Sequence, residues 1–132
     1  MISLLAIISI LFTNSGSESY IPPAKGKIIQ TELYFGLSRQ HGGMVTDEEW
    51  SSFADTVLSK IFINGMTILD CEGQWFDSAA GKRISEDTHL VIGVNEMTKK
   101  LSDQIDTARA KYCRYYDQAS VLRIDQKVRM RY

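Results

Sequence analysis

The sequence predicts an α+β fold in which four strands and two helices follow one another in the order β-α-β-β-α-β. Three segments alternate apolar and polar residues with the period of a half-buried strand, and a fourth, HLVIGV, is apolar on both faces, as in an interior strand. Two other segments carry apolar residues at spacings of three and four, as helices do. Right-handed crossovers then give a ferredoxin-like sandwich, with antiparallel sheet order 4-1-3-2 and two helices on one face.

Two adjacent patterns predict the first strand and the first helix. Over residues 31–38, Leu33 and Phe35 share one face of a strand and Tyr34 lies on the other. Thr46 then opens a helix, because Thr46 and Glu49 have the spacing of a capping box. An Asn-Gly pair follows the helical pattern, and its glycine suits the left-handed position at which a helix ends.

The second half of the chain is organised around a strand over residues 67–75. Its two sides differ in chemistry: Leu69 and Trp75 alternate toward one side, and Asp70 and Gln74 toward the other. The remaining predicted elements are a strand over residues 83–95, a helix over residues 96–117 and a strand over residues 120–132.

Length and composition indicate one globular domain. The chain has 132 residues, of which 23% are charged and 44% hydrophobic, so it is neither disordered nor long enough for two ordinary domains. Its 15 basic and 16 acidic residues nearly cancel, and this balance excludes the basic footprint of a nucleic-acid-binding protein.

The N-terminal segment predicts export. An apolar run over residues 2–12 is followed by small and polar residues, which is typical of a secretory signal peptide over residues 1–19, although no Lys or Arg precedes the run. An extended lead-in over residues 20–30 and a single domain over residues 31–132 follow. The prediction is a periplasmic or secreted protein with no stable membrane insertion after cleavage. An uncleaved anchor or a buried N-terminal segment is the alternative.

Cysteine and histidine positions give little support to metal or redox chemistry. No CxxC motif or Cys/His cluster is present, so neither a zinc site nor another cofactor is predicted. In an exported protein Cys71 and Cys113 are either a disulfide or two buried thiols, and the distance between them decides. His41 and His89 lie in separate segments that no motif connects.

The open face of the predicted sheet is where we expect a ligand. Alternation places seven polar side chains there, namely Tyr34, Ser38, Asp70, Glu72, Gln74, Arg123 and Asp125. Four of them are candidate ligand-binding residues: Tyr34, Asp70, Gln74 and Arg123. The planar guanidinium of Arg123 can hold a carboxylate or phosphate, or it can make structural ion pairs. Paired carboxylates can perform acid–base chemistry, but on an exposed strand they are more often simply solvated.

Four blocks in the chain resemble a known family of small exported bacterial proteins. They are LYFGLS at residues 33–38, VTDEEWSSF at 45–53, LDCEGQW at 69–75 and SVLRID at 120–125. Together they are similar to domain-of-unknown-function family 3574, from residue 31 to the C-terminus. The resemblance implies export and a compact α+β domain, and it supplies no activity. Cys71 stands where the family pattern has a small residue such as alanine, which favours buried thiols over a shared disulfide. The mapped motif residues, none with an assigned role, are Gly36, Trp50, Gly73, Gln74, Trp75 and Arg123.

Two functions fit these observations. The first is a non-enzymatic exported domain that binds a small ligand or a protein partner and forms a homodimer through its open sheet face. The second is an enzyme of the dimeric α+β-barrel type, with a pocket lined by Tyr34, Gln74 and Arg123. Fold analogy alone supports the enzyme. A pocket that holds a carboxylate with a perturbed pKa near Arg123 favours the enzyme, and a flat sheet face buried against a second copy favours the interaction module.

Overall fold

The computed structural model describes residues 26–131. The predicted signal peptide therefore lies outside the described residues, as does most of the lead-in. Among residues 26–131 no helix combines the length and the apolarity that crossing a bilayer requires. The strands are β1 (Ile28–Gly36), β2 (Thr67–Asp77), β3 (Lys82–Glu96) and β4 (Leu122–Lys127). The helices are α1 (Asp47–Phe53), α2 (Ser59–Ile61) and α3 (Lys99–Tyr116).

The first predicted helix is continuous but not uniform. A π-helical turn, Ala54–Leu58, joins α1 to α2, and the backbone N–H of Ser59 reaches back five residues to the carbonyl of Ala54. We call the whole segment the first helix. Its predicted capping box is confirmed, since Thr46 accepts from the Glu49 N–H and the Glu49 carboxylate accepts from the Thr46 N–H.

The predicted sheet order is confirmed. The four strands form one antiparallel sheet in the order β2-β3-β1-β4, which is the predicted order read from the other edge. Strand β3 is interior, as its apolar run predicts, and the two longest strands, β2 and β3, form a hairpin. Both long helices pack on one face, so the prediction of a two-layer α+β sandwich is correct.

The first and last strands of the chain differ from the sequence-based boundaries because pairing decides where a strand ends. Strand β1 begins at Ile28, three residues before the predicted start, because it pairs with β3 as far as Glu96. Strand β4 ends at Lys127, five residues before the predicted end. Among residues 26–131 its only neighbour is β1, and pairing with β1 stops at Ile29 opposite Lys127. Alternation continues in the sequence, but residues 128–131 lie outside the strand.

The core lies between the sheet and the helices and is built on aromatic rings. Phe35 of β1 is fully buried, with its ring centroid 5.3 Å from that of Trp50, 5.8 Å from that of Phe53 and 4.8 Å from that of Tyr112. The Tyr112 hydroxyl donates to the Gly36 carbonyl at 2.9 Å, so the buried phenol is satisfied. These contacts tie both long helices to the centre of the sheet.

Candidate ligand site on the open face of the sheet

The strand register defines three rows of residues across the open face. One row is large and apolar: Leu69, Leu90, Tyr34 and Leu122 stand side by side on β2, β3, β1 and β4. The next row is small: Cys71, Thr88 and Gly36. A third row pairs Gly73 with Glu86, and beyond it Trp75 pairs with Ile84.

The alternation of large and small rows makes a concavity. Its floor is the row of small residues, and its walls are the Tyr34 row on one side and the Trp75–Ile84 pair on the other. Its volume is about 860 Å³, within the range of sites that hold small organic molecules. We call it the open-face concavity. Residues Gln118, Ala119 and Ser120, which lead into β4, complete its rim.

Glu86 places a carboxylate in the open-face concavity. Its side chain lies across Gly36, where a Cβ would stand 2.6 Å from the carboxylate, and it accepts the Ser38 N–H at 2.8 Å. Glycine at position 36 is what leaves room for the carboxylate. Burial raises the pKa of Glu86, while the hydrogen bond from the Ser38 amide opposes that shift. A carboxylate with a raised pKa in a concavity is a feature of functional sites.

The raised pKa of Glu86 predicts a pH-dependent stability difference. Folding disfavours the charged form, so the contribution of Glu86 to stability is present below its ordinary pKa of 4.5 and is lost as the pH rises through the folded value. Glu86→Gln is therefore expected to be more stable than wild type at pH 7, with the gain vanishing toward pH 4. Urea denaturation across this pH range measures the difference. Asp87→Asn, an exposed carboxylate on the same strand, is the control, and an equal gain there would contradict the prediction.

Tyr34 is the one candidate ligand residue that lies centrally on the open face. Its hydroxyl donates to Glu32 at 2.8 Å, and Glu32 also accepts from Gln30 at 3.0 Å. The hydrogen bond to Glu32 raises the pKa of Tyr34, with burial contributing. The phenol is therefore neutral at physiological pH and lines the concavity with its ring.

In both edge strands, the side chains expected on the open face lie on the helix side, and their chain neighbours lie on the open face. Asp70 pairs with His89, which stacks on Trp50 of the first helix, so Asp70 faces the helix layer. Arg123 contacts Ser102 of α3 and faces the same way. The placement of five residues on the open face is therefore wrong: Asp70, Glu72, Gln74, Arg123 and Asp125. The helices cover the central strands, so polar side chains fit beside them at the sheet edges.

The apolar sides of the edge strands consequently line the open face. Leu69 is 43% exposed and Trp75 46% exposed on β2, and Leu122 is 55% exposed on β4. Gln74 still lines the concavity from the edge strand, although its amide donates to Glu72 at 2.7 Å. Of the four candidate ligand residues, Tyr34 and Gln74 thus line one concavity, and Asp70 and Arg123 do not. Ligand binding by any of them stays a prediction.

Arg123 is the centre of an ion-pair network under α3. Its guanidinium donates to Asp106 at 3.0 Å, lies 2.8 Å from a carboxylate oxygen of Asp125 and contacts both the carbonyl and the hydroxyl of Ser102. Asp125 in turn accepts from Thr31 at 2.7 Å. The Arg123 side chain is 10% exposed. All of these partners belong to the chain itself, so the planar fork holds α3 to β4 rather than facing the concavity.

A second carboxylate contact lies at the opposite edge. Nδ1 of His89 is 2.7 Å from Asp70, and the imidazole ring stacks on Trp50 with centroids 4.3 Å apart. Asp70 and Arg123 do not meet, as their opposite edges predict. Among residues 26–131 no group of three or more His, Cys, Asp or Glu side chains is arranged to hold a metal ion.

Both cysteines are free thiols. Cys71 is exposed on the floor of the open-face concavity, with its Sγ 3.4 Å from the Thr88 carbonyl, and Cys113 is half-buried on α3 beside the core. They lie on opposite sides of the sheet, so they form no disulfide. The buried-thiol alternative fits Cys113 and is wrong for Cys71.

The residue that sequence reasoning missed is Glu86. It belongs to a polar stretch at the start of β3, where charge alone indicates a solvated strand. Gly36 offered the available signal, because a glycine inside a strand marks the close approach of another group. The sequence does not reveal which group approaches.

A family model for a protein of unknown function (DUF3574) matches residues 30–132. The chain belongs to this family. The match spans every described strand and helix except the first residues of β1, and the predicted resemblance is confirmed. Comparison with curated proteins finds no significant match for this DUF3574 protein.

Solved structures of a phage SAM lyase share the fold of this DUF3574 protein. One, in complex with S-methyl-5'-thioadenosine, superposes with a TM-score of 0.61 at 15% identity and covers 83% of this chain and 88% of the lyase. The other, the apo state, gives a TM-score of 0.58 at 15% identity, over 83% of this chain and 87% of the lyase. At this identity the likeness establishes the fold.

Proposed function

We propose that this protein binds a small organic cation with a planar ring in the open-face concavity. The observation that carries the proposal is the Glu86 carboxylate, held over Gly36 inside a concavity of about 860 Å³. A ligand cation placed there gains a charge-assisted contact in a partly desolvated site, which is stronger than the same contact in water.

The other charges around the concavity also favour a positively charged ligand. Two acidic residues project from the open face into it, Asp77 and Glu86, against one basic residue, Arg39. Arg39 is already engaged by Glu49 at 2.6 Å. The local potential is therefore negative, although the net charge of the chain is only −1.

The walls of the concavity suit a flat apolar body. The Tyr34 ring stands on one side and the Trp75 ring on the other, and aromatic faces stack on planar heterocycles and attract cations. Ser120 on the rim supplies a hydroxyl for orientation. SAM, which carries a sulfonium cation and an adenine ring, combines these features, and the shared fold makes it the first ligand to test.

The test is calorimetric titration of the protein with SAM and with S-methyl-5'-thioadenosine, which is uncharged. Wild type is expected to bind SAM, and Glu86→Gln to bind it about tenfold more weakly or worse, because one charge contact is lost. The affinity for S-methyl-5'-thioadenosine, the uncharged thioether, should fall much less in Glu86→Gln. Asp87→Asn changes the net charge equally on the opposite face and should bind as wild type does.

Three results would contradict the proposal: no binding of SAM by wild type, equal binding by Glu86→Gln, or an equal loss in Asp87→Asn. Chromatography of the titrated samples separates binding from catalysis. Consumption of SAM that depends on Glu86 would support the enzyme alternative, with Glu86 as the acid–base group. Intact SAM after long incubation supports the binding domain.

We also propose export and a homodimer through the open face. Exposed Leu69, Trp75, Leu122 and Ile124 give one side of the sheet an apolar surface that a second copy can cover. Native mass spectrometry of protein recovered from an exporting host is expected to give a chain shortened near residue 19 and a dimer. Leu122→Glu should convert the dimer to a monomer, whereas Ile63→Glu, an exposed apolar residue after α2, should not. An uncleaved or monomeric wild-type chain would contradict the corresponding proposal.

A further inference from the structure

The outer surface of the helix layer carries a groove that is unrelated to the open-face concavity. It runs between the second half of the first helix and α3 as a cavity of about 620 Å³. A smaller cavity of about 360 Å³ continues it toward the start of α3. The two cavities share Lys60, Ile61, Lys100 and Gln104, so they form one elongated depression. We call it the helix groove.

The helix groove has an apolar floor. Val57 and Ile61 from the first helix face Ala108 of α3 across the larger cavity, and Ile63 and Leu101 extend the apolar lining into the smaller one. Val57 and Ile61 are half-buried and Ile63 is 78% exposed. The floor is therefore reachable from solvent at Val57, Ile61 and Ile63, with Ala108 buried at its base.

The rim of the helix groove has an excess of basic residues. Two carboxylates line it, Asp103 in the larger cavity and Glu96 in the smaller one, against four lysines, Lys60, Lys99, Lys100 and Lys111. Asp103 is engaged by Lys99 at 2.6 Å. Within residues 26–131 the other three lysines have no carboxylate oxygen within the 4.0 Å of an ion pair. The groove thus combines an excess of positive charge with apolar surface.

The π-helical turn forms one wall of the helix groove. Thr56 and Val57, which line the larger cavity, both belong to the turn Ala54–Leu58. The hydrogen-bond geometry of a π-helical turn is less favourable than that of a regular α-helix. Such turns nevertheless occur frequently at functional sites. Here the wider turn lies where the floor of the groove meets its basic rim.

We propose that the helix groove binds a single-chain anionic amphiphile, with its acyl chain on the apolar floor and its carboxylate among Lys60, Lys100 and Lys111. The basic rim fixes the sign of the head group, and the elongated floor fits a chain. A partner helix fits less well: a helix is about 10 Å across, so the larger cavity would seat only one or two turns. Each methylene buried on the floor adds to affinity.

The test is NMR titration with dodecanoate below its micelle concentration, following the methyl groups of Val57, Ile61 and Ala108. Saturable shifts confined to the groove are expected. The double variant Lys60→Gln/Lys111→Gln should bind about tenfold more weakly, since two charge contacts are removed. Lys82→Gln/Lys127→Gln, on the sheet and away from the groove, removes the same charge and should bind as wild type does.

Two further ligands test whether binding needs both the acyl chain and the negative charge. Dodecyl maltoside, which has the same chain and no charge, should bind much more weakly than dodecanoate, and acetate should not bind detectably. The proposal is overturned if dodecanoate gives no saturable groove shifts, if dodecyl maltoside binds equally well, or if the two double variants behave alike. Binding of an acidic helical peptide without binding of dodecanoate would likewise overturn it. The titration does not involve Glu86, so its outcome is independent of the open-face concavity.

Discussion

Phe35→Ala is expected to lower the free energy of unfolding by about 3–5 kcal/mol, because it removes a large side chain from a core that cannot collapse around the gap. Phe35 is fully buried at the point where Trp50, Phe53 and Tyr112 converge. These three partners come from both long helices, so the cavity would open where the two layers of the fold meet.

Urea denaturation followed by circular dichroism measures the effect. Phe76→Ala removes the same side chain from β2, where it is 65% exposed, and should change stability by no more than about 0.5 kcal/mol. Similar losses in the two variants would mean that the aromatic cluster does not hold the two layers together. The comparison tests the core directly, since the two substitutions are chemically identical.

Arg123→Met is expected to cost about 2–3 kcal/mol, since it leaves Asp125 without its cation and leaves Asp106 with Arg109 alone. Methionine keeps most of the apolar stem, so the loss reports the charge network rather than a cavity. The side chains of Asp106 and Asp125 are 53% and 38% exposed, so water partly replaces the guanidinium. The expected loss therefore falls below that of a fully buried pair.

The loss in Arg123→Met should shrink in acid. Hydrogen bonds from Arg109 and then Arg123 lower the pKa of Asp106 below its ordinary 3.8. A lowered pKa contributes stability that is present above the ordinary value and is lost as the pH falls through the folded one. Wild type and variant should therefore converge as the pH falls through this lowered pKa.

Arg114→Met is the matched control for Arg123→Met. Arg114 is exposed near the end of α3, and its substitution should change the free energy of unfolding by no more than about 0.5 kcal/mol. The competing hypothesis for Arg123 is ligand binding. It predicts the reverse pattern, with unchanged stability and lost affinity in the SAM titration. That pattern would contradict the structural role.

The elements of the fold could be predicted because their signals are local. Apolar spacing distinguishes helix from strand within a few residues, and the capping box of Thr46 and Glu49 marks where the first helix begins. Sheet order followed as well, since crossover handedness leaves few arrangements of β-α-β-β-α-β. Strand ends were less accurate, because β1 and β4 extend only as far as their partners do.

The candidate site was predicted only in part, because alternation gives the period of a strand and not the direction of its faces. The alternation predicts Asp70 and Arg123 on the open face, but both lie on the helix side, and their chain neighbours Leu69 and Leu122 lie on the open face. Which side is covered depends on how far the helices reach over the edge strands. That distance is a property of packing between elements remote in the chain.

The sequence by itself determined the family, the element order and the sheet order, since each rests on local periodicity or on motifs read along the chain. Only the tertiary structure decided the chemistry of the two candidate surfaces. Glu86 becomes a site residue because β3 places it over Gly36 of β1, some fifty positions away in the chain. The lysines of the helix groove gather because the first helix and α3 pack side by side. The effects of charge and burial on a residue depend on which groups lie near it in space. The spacing of residues along the chain does not specify those distances.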